Sequence, residues 1–453
     1  MTDLFREFDG ISDKEWKQKI QVDLKGADYN ESLIWQSDEG IDVKPFYSKA
    51  DCDRKIDVPL PDQPPKNSQF FFFKKTKKTF KAIEKAVNNG VDHCHIMVAE
   101  NRLDSLNDLM KELSDSDMDL LLEFERIPNA HHDSFFSTLG SKDFDLDIDI
   151  LGNFARTGNW YYDKVTDHQL LKTHIDNKNN RSVLSVSTDL YQNAGANIIQ
   201  QLAYGLAHMN EYLNHYQDGI NLKPLFKVGV GSNYFFEIAK IRALRALWRS
   251  LSEVYSVADK CLIMAIPSRR NKTIYDYNNN MIRTTLECMS AKLGGADIIQ
   301  NLPYDALYHK SNDFGERIAR NQPLILKHES YFNAVLNAAE GSYYIESITT
   351  QLAEKALALF RTIEESGGLL QQLNSGTIQR KIRESGHKEQ EQFDLKAKVL
   401  IGSNTYENPD EHMGHELQLY PFVKTKIRKT EIEPVIERRL SEAIEKIKLE
   451  NEN

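Results

Sequence analysis

Several residue groups in this chain have types and spacings that could support chemistry. Gly229-Val230-Gly231-Ser232-Asn233 lies between an apolar strand-like run and a helical stretch. A glycine-rich turn at that place can hold a phosphate at a helix N-terminus. It is not a dinucleotide fingerprint, because Tyr234 fills the third glycine position; a tight turn is the simpler account. His93 and His95 share one face of a strand while Cys94 points to the other. Two ligands without a nearby third make a poor zinc site, so no metal site is expected. His412 and His415 flank Met413-Gly414 ahead of Glu416, an order unlike His-Glu-x-x-His, and read as a loop. Glu237, Lys240, Arg242 and Arg245 recur along one helix and read as a solvated or salt-bridged face. Arg283 follows Asn278-Asn279-Asn280, and Glu329 follows Leu326-Lys327-His328. If the elements before them are barrel strands, Lys240, Arg283 and Glu329 are the candidates for a C-terminal mouth, where barrel active sites sit. Spacing alone assigns no nucleophile–base pair and no carboxylate pair.

The elements that must position these residues alternate. His95–Val98, Leu120–Glu123, Leu184–Ser187, Phe226–Val230, Cys261–Ile266 and Ile298–Gln300 read as strands, Gln69–Phe73 is a short apolar run and Phe144–Leu151 alternates polar and apolar. Between them lie helical patterns at Phe80–Asn89, Leu103–Leu113, Phe135–Leu139, Ala194–His215, Phe235–Val254 and Met281–Lys292, with Phe314–Asn321 following. Repeated strand–helix alternation argues a parallel α/β fold, and at this length a closed (β/α)8 TIM barrel. Residues 1–65 read as an N-terminal arm, 66–375 as the barrel and 376–453 as a C-terminal helical extension. In the arm, Ser12 and Glu15 form a capping box ahead of a helix that Gly26 ends. In the extension, Thr377–Leu395 is helix-prone, with Gly386 as a break, and Glu431–Asn453 reads as one amphipathic helix.

The 453 residues are 40% hydrophobic and 27% charged, with a formal net charge of −10. That is a globular balance with nothing to favour nucleic acid or an anionic membrane as partner. The start, MTDLFREFDG, carries no apolar signal region, and no run of about 18 apolar residues occurs to span a membrane. Cys52, Cys94, Cys261 and Cys288 have no metal or redox spacing, which suits a reduced cytoplasmic protein.

An ordered series of blocks is more specific. Asn279-Asn280-Met281-Ile282-Arg283-Thr284-Thr285, Leu293-Gly294-Gly295-Ala296, Asp313–Asn321, Leu324–Leu326 and Gly341-Ser342-Tyr343-Tyr344-Ile345-Glu346 resemble the barrel domain of the methylmalonyl-CoA mutase family. Gly195-Ala196-Asn197, Gln200–Tyr204, Phe235–Ala243 with Leu247-Trp248, Lys44–Tyr47 and Ile401–Asn404 are similar to it as well, so the resemblance covers almost the whole chain. It implies an isomerase of propionate metabolism that interconverts (R)-methylmalonyl-CoA and succinyl-CoA with adenosylcobalamin.

The departures point to the small, non-catalytic subunit of such an enzyme. Catalytic members carry His-Cys-Gln-Thr-Ser-Gly before the Asn-Asn-x-x-Arg-Thr block; counting back from Arg283 puts Met264 in place of that His. The resemblance makes that His a hydrogen-bond donor to the migrating thioester carbonyl, and a thioether cannot donate. Losing such a contact typically costs about 10²–10³ in rate. The family's Arg-Gln-Tyr-Ala-Gly-Phe segment has no counterpart near Phe70–Lys74, and no Asp-x-His-x-x-Gly cobalt-ligating motif occurs. The expectation is therefore no catalytic or cofactor-binding residue in this chain. Adenosylcobalamin would be held by a large partner subunit in a 1:1 heterodimer, with the arm aromatics Trp16, Trp35, Phe46 and Tyr47 wrapping that partner. Catalytic barrels thread coenzyme A along a lumen lined by small residues, whereas Phe70–Phe73 would fill it. Two alternatives stand beside this reading: a scaffold or regulatory protein without a mutase partner, and a stand-alone acyl-CoA barrel enzyme using Lys240, Arg283 and Glu329.

Overall fold

The computed structural model describes residues 10–52, 56–114, 116–128, 144–176, 183–216, 223–424 and 428–452. The helix expected at Phe135–Leu139 lies outside them. The barrel strands are β1 (Lys66–Phe73), β2 (His93–Val98), β3 (Asp119–Phe124), β4 (Asp145–Asp147), β5 (Ser185–Ser187), β6 (Leu225–Val230), β7 (Leu262–Pro267) and β8 (Ile298–Gln300). All pair in parallel, in the order β4-β3-β2-β1-β8-β7-β6-β5. A single parallel bridge, Ile148–Leu184, joins the two ends of that series. The fold is a (β/α)8 TIM barrel.

Side-chain alternation along each strand builds two separate cores. Cys94, Ile96, Leu120, Leu122, Phe226 and Ile263 face the helices and belong to the main core. Leu121, Leu225, Met264 and Ile298 face inward and form a smaller cluster with Leu262 and Ile266. Outside the strands, the helix Tyr234–Tyr255 packs against Ile198–His215, Asn279–Gly294 and Tyr343–Glu365, and buries Trp248 against Phe226 at 5.9 Å. None of the described helices is long and apolar enough to cross a membrane.

Three expected elements differ. The stretch Ala194–His215 is two helices, Thr188–Asn193 and Ile198–His215. Gly195, at φ +106°, reverses the backbone, and Asn197 then caps the second helix in a box with Gln200. Gly386 does not break Thr377–Asp394; it lies where that helix crosses Gly195, whose own missing Cβ permits the approach. The tail from Glu431 is helical only over Glu442–Glu452. Pro434 disfavours helix at Glu433, and the backbone bonds the barrel top instead: Ile432 to Gly158 O (3.2 Å), Val435 to Ala155 O (2.8 Å), Arg438 to Asn193 O (3.0 Å) and Leu440 to Arg270 O (3.0 Å). Ile432, Val435 and Leu440 are buried by this strap, while Ile436 and Ile447 are exposed.

The arm begins with the helix Asp13–Asp23, whose Ser12–Glu15 capping box is formed. A two-stranded ribbon, Trp35–Gln36 against Asp42–Val43, follows, and Ile41 and Val43 join the main core.

Candidate functional site

The barrel interior is stratified along its axis. Near the N-terminal ends of the strands, Lys66 pairs with Asp119 and the ring Nδ1 of His93 lies 2.8 Å from Ser68 Oγ. Burial, with the neighbouring charges of His95 and Lys66, pushes the His93 imidazole down to about 3. The next layer is the apolar cluster of Leu121, Leu225, Met264 and Ile298, with Leu262 and Ile266 packed against it. Met264 is fully buried there, in register with Lys227 and Ile298.

Phe70–Phe73 do not fill the lumen as a block. Alternation sends Phe71 and Phe73 outward into the main core. Phe70 stands edge-on to His95 at 5.1 Å, and Phe72 is 58% exposed beside Phe70.

Above the apolar layer the strands converge on charge. His95 Nδ1 lies 2.9 Å from Gln300 Oε1. Its Nε2 is 2.9 Å from Glu123 Oε2 and 3.7 Å from Asp147 Oδ2. Lys227 Nζ donates to Asp147 Oδ2 at 2.6 Å and lies 3.9 Å from Glu123 Oε1. Ser185 Oγ donates to Asp147 Oδ1 at 2.5 Å. Burial opposes charge on Glu123, but Lys227 and His95 hold its carboxyl below the usual carboxylate range. Burial likewise opposes charge on Lys227, and Asp147, Glu123 and Asp189 hold its ammonium above the usual lysine range. Asp189 is pushed up by burial, which Lys227 and Arg156 do not overcome. Opposite charges at these distances compensate one another in the low-dielectric interior.

His95, Glu123, Lys227 and Gln300 floor a cavity of about 550 Å³ at the C-terminal mouth, walled by Phe70, Phe72, Asp189 and Arg320 and reached by Leu419 and Glu437 of the C-terminal segment.

The expected mouth residues do not meet. Lys240 is buried in the helix layer, donating to Gln201 Oε1 (2.9 Å) and Gly229 O (2.5 Å) and pairing with Glu237 at 2.5 Å. Arg283 holds the C-terminal segment to the barrel, donating to Thr273 Oγ1 (3.0 Å), Asn280 Oδ1 (2.8 Å) and Ile401 O (2.5 Å). Glu329 is exposed and caps the C-terminal end of the helix Asp313–His328. A helix that follows a barrel strand runs back toward the barrel's other end, so its C-terminus points away from the mouth. The Gly229–Asn233 turn is crossed by Gln192, which approaches both glycines. The His412–His415 segment is a loop; the Met413 and Gly414 amides donate to the Glu452 carboxylate at 2.7–3.1 Å.

Sequence reasoning singled out His95 but not Glu123, Asp147 or Lys227. The available signal was a charged residue inside a largely apolar strand for Glu123 and Lys227; Asp147 lies in the alternating Asp145-Leu146-Asp147 and carried none. Register across the sheet, which unites them, is not written in any one strand.

Comparison with known proteins assigns the chain. A family model described as methylmalonyl-CoA mutase matches residues 145–450. The methylmalonyl-CoA mutase small subunit of Porphyromonas gingivalis (strain ATCC BAA-308 / W83) is 32% identical over 467 residues, which cover 92% of this chain and 73% of that one. The methylmalonyl-CoA mutase of Rhizobium meliloti (strain 1021) is 34% identical over 246 residues, covering 52% of this chain and 35% of that enzyme. That of Cereibacter sphaeroides is 28% identical over 457 residues, covering 86% and 64%. The chain thus spans less than two thirds of either enzyme's length. On the family match and the small-subunit relative together, this chain belongs to the methylmalonyl-CoA mutase family, a family of isomerases.

Proposed function

We propose that this chain is the small, non-catalytic subunit of a cytoplasmic, heterodimeric methylmalonyl-CoA mutase. Its large partner would interconvert (R)-methylmalonyl-CoA and succinyl-CoA. The observation that carries the reading is Met264. Where the resemblance expects a hydrogen-bond-donating histidine, a thioether sits fully buried among Leu121, Leu225 and Ile298. That position cannot donate to a thioester carbonyl.

Adenosylcobalamin belongs to the partner in this reading. The described residues do not fit a corrinoid at the mouth, because a cavity of about 550 Å³ is too small to enclose one. The small-subunit name of the Porphyromonas relative supports a large partner. The arm offers a surface for it. The helix Asp13–Asp23 has no buried residue, and Trp16 and Trp35 are 48% and 51% exposed although they touch Phe46 and Phe236.

The test is light scattering of the full chain, alone and mixed with a large mutase subunit from the same source, with a mutase assay on each sample. A 1:1 complex and no turnover by this chain alone is the expected result. Failure to associate, or turnover by this chain alone, overturns the proposal.

A further inference from the structure

Two buried polar atoms around the barrel cluster have no hydrogen-bond partner, and they are adjacent in function. The first is His95 Nε2. A carboxamide oxygen only accepts, so the His95 ring donates through Nδ1 to Gln300 Oε1 at 2.9 Å, and in the neutral ring of that tautomer Nε2 carries the lone pair a metal would take. That nitrogen faces Glu123 Oε2 at 2.9 Å and Asp147 Oδ2 at 3.7 Å. The three atoms all lie within 4.8 Å of one another. The second orphan is Asp189 Oδ1, on the wall of the same cavity and within the electrostatic reach of Lys227.

We propose that His95 Nε2, Glu123 and Asp147 bind one divalent transition-metal ion, of the Zn2+ or Mn2+ class, entering from the mouth cavity. Three converging acceptor atoms repel unless a cation or a proton lies between them. Metal–ligand bonds of about 2.0–2.2 Å place neighbouring ligand atoms about 3 Å apart and opposed ones about 4 Å apart, the range seen here. A histidine whose other nitrogen donates to a fixed oxygen is the usual orientation of a metal ligand. One nitrogen and two carboxylates suit a borderline cation, and water from the cavity would complete its shell. Lys227 is the present counter-charge at 2.6 Å from Asp147 Oδ2. On metal binding its ammonium moves to Asp189, which satisfies the second orphan. This site is independent of the mutase reading, because it needs neither the partner nor acyl-CoA.

The experiment is equilibrium dialysis of the chelator-stripped full chain against Zn2+ and Mn2+, with elemental analysis and circular dichroism to confirm folding. One equivalent should bind, at least tenfold weaker in His95→Ala and Glu123→Gln. Lys227→Met, which removes the competing charge, should bind more tightly. Asp189→Asn touches no ligand yet should weaken binding by removing the lysine's second partner, so the idea stays open to test if a ligand variant does not fold. No bound ion in the wild-type chain, or unchanged affinity in both ligand variants, overturns the assignment.

Discussion

Met264 shows how one side chain decides what a barrel interior can do. It fills an apolar layer with Leu121, Leu225 and Ile298, so truncation leaves a void that its neighbours cannot close. Met264→Ala should lower stability by about 2–5 kcal/mol in urea unfolding. Met264→His should lower it by about 1–3 kcal/mol, because the imidazole has no partner in that layer, and should not bring mutase turnover to this chain. Thiol chemistry is set at the same scale. Cys94, Cys261 and Cys288 are buried, and burial pushes the Cys261 thiol up to about 12. Titration of the native chain with an aromatic disulfide should modify Cys52 at most, and all four cysteines after unfolding in guanidinium.

At the scale of elements, the crossing of Thr377–Asp394 over the Gly195 turn is the most specific contact. A Cβ on Gly195 would lie 2.8 Å from the Gly386 Cα, at φ +106°, so Gly195→Ala combines strain with collision. It should cost about 1–3 kcal/mol. Gly386→Ala meets its nearest neighbours only at 3.5–3.6 Å, within ordinary contact. Because alanine favours a helix interior by about 0.5–1 kcal/mol over glycine, that variant should be neutral or more stable. Thermal unfolding of the two variants checks the asymmetry. The strap around Pro434 carries a related lesson. Ile432, Val435 and Leu440 have the spacing of a helix face, yet the backbone there finds its partners in Ala155, Gly158 and Arg270. Apolar periodicity says which residues are buried and leaves the backbone conformation to the proline and the available acceptors.

For the whole molecule, the response to acid follows from buried histidines and carboxylates acting together. His93 and His168 are held neutral, chiefly by burial, down to about 3 and about 4, against about 6.5 in an unfolded chain. The unfolded state therefore binds more protons below pH about 6.5. Stability should be level above that pH and fall as pH drops toward about 4. Glu123 and Asp149 sit below the usual carboxylate range, so their contribution is also lost on acidification. Denaturant midpoints measured from pH 7.5 to 4.5 should decline steadily, with a shallower decline in His168→Phe whatever its absolute stability. A flat profile would contradict burial of these rings in the neutral form.

Strand–helix alternation and the family resemblance were both legible along the chain, because each is a local pattern or an ordered string of residues. The strand and helix periods argued a parallel α/β fold and favoured a closed barrel, and the family resemblance pointed to the TIM barrel. The order in which the strands pair and the stratification of the lumen were not legible. They arise from register between strands far apart in sequence, which brings His95, Glu123, Asp147 and Lys227 within 4 Å contacts of one another. The same register turned Phe71 and Phe73 away from the lumen that their sequence run suggested they would fill. Helix placement keeps the expected mouth residues apart: Lys240 is buried in the helix layer, Arg283 is held by Thr273, Asn280 and Ile401, and Glu329 lies at the far end of its helix.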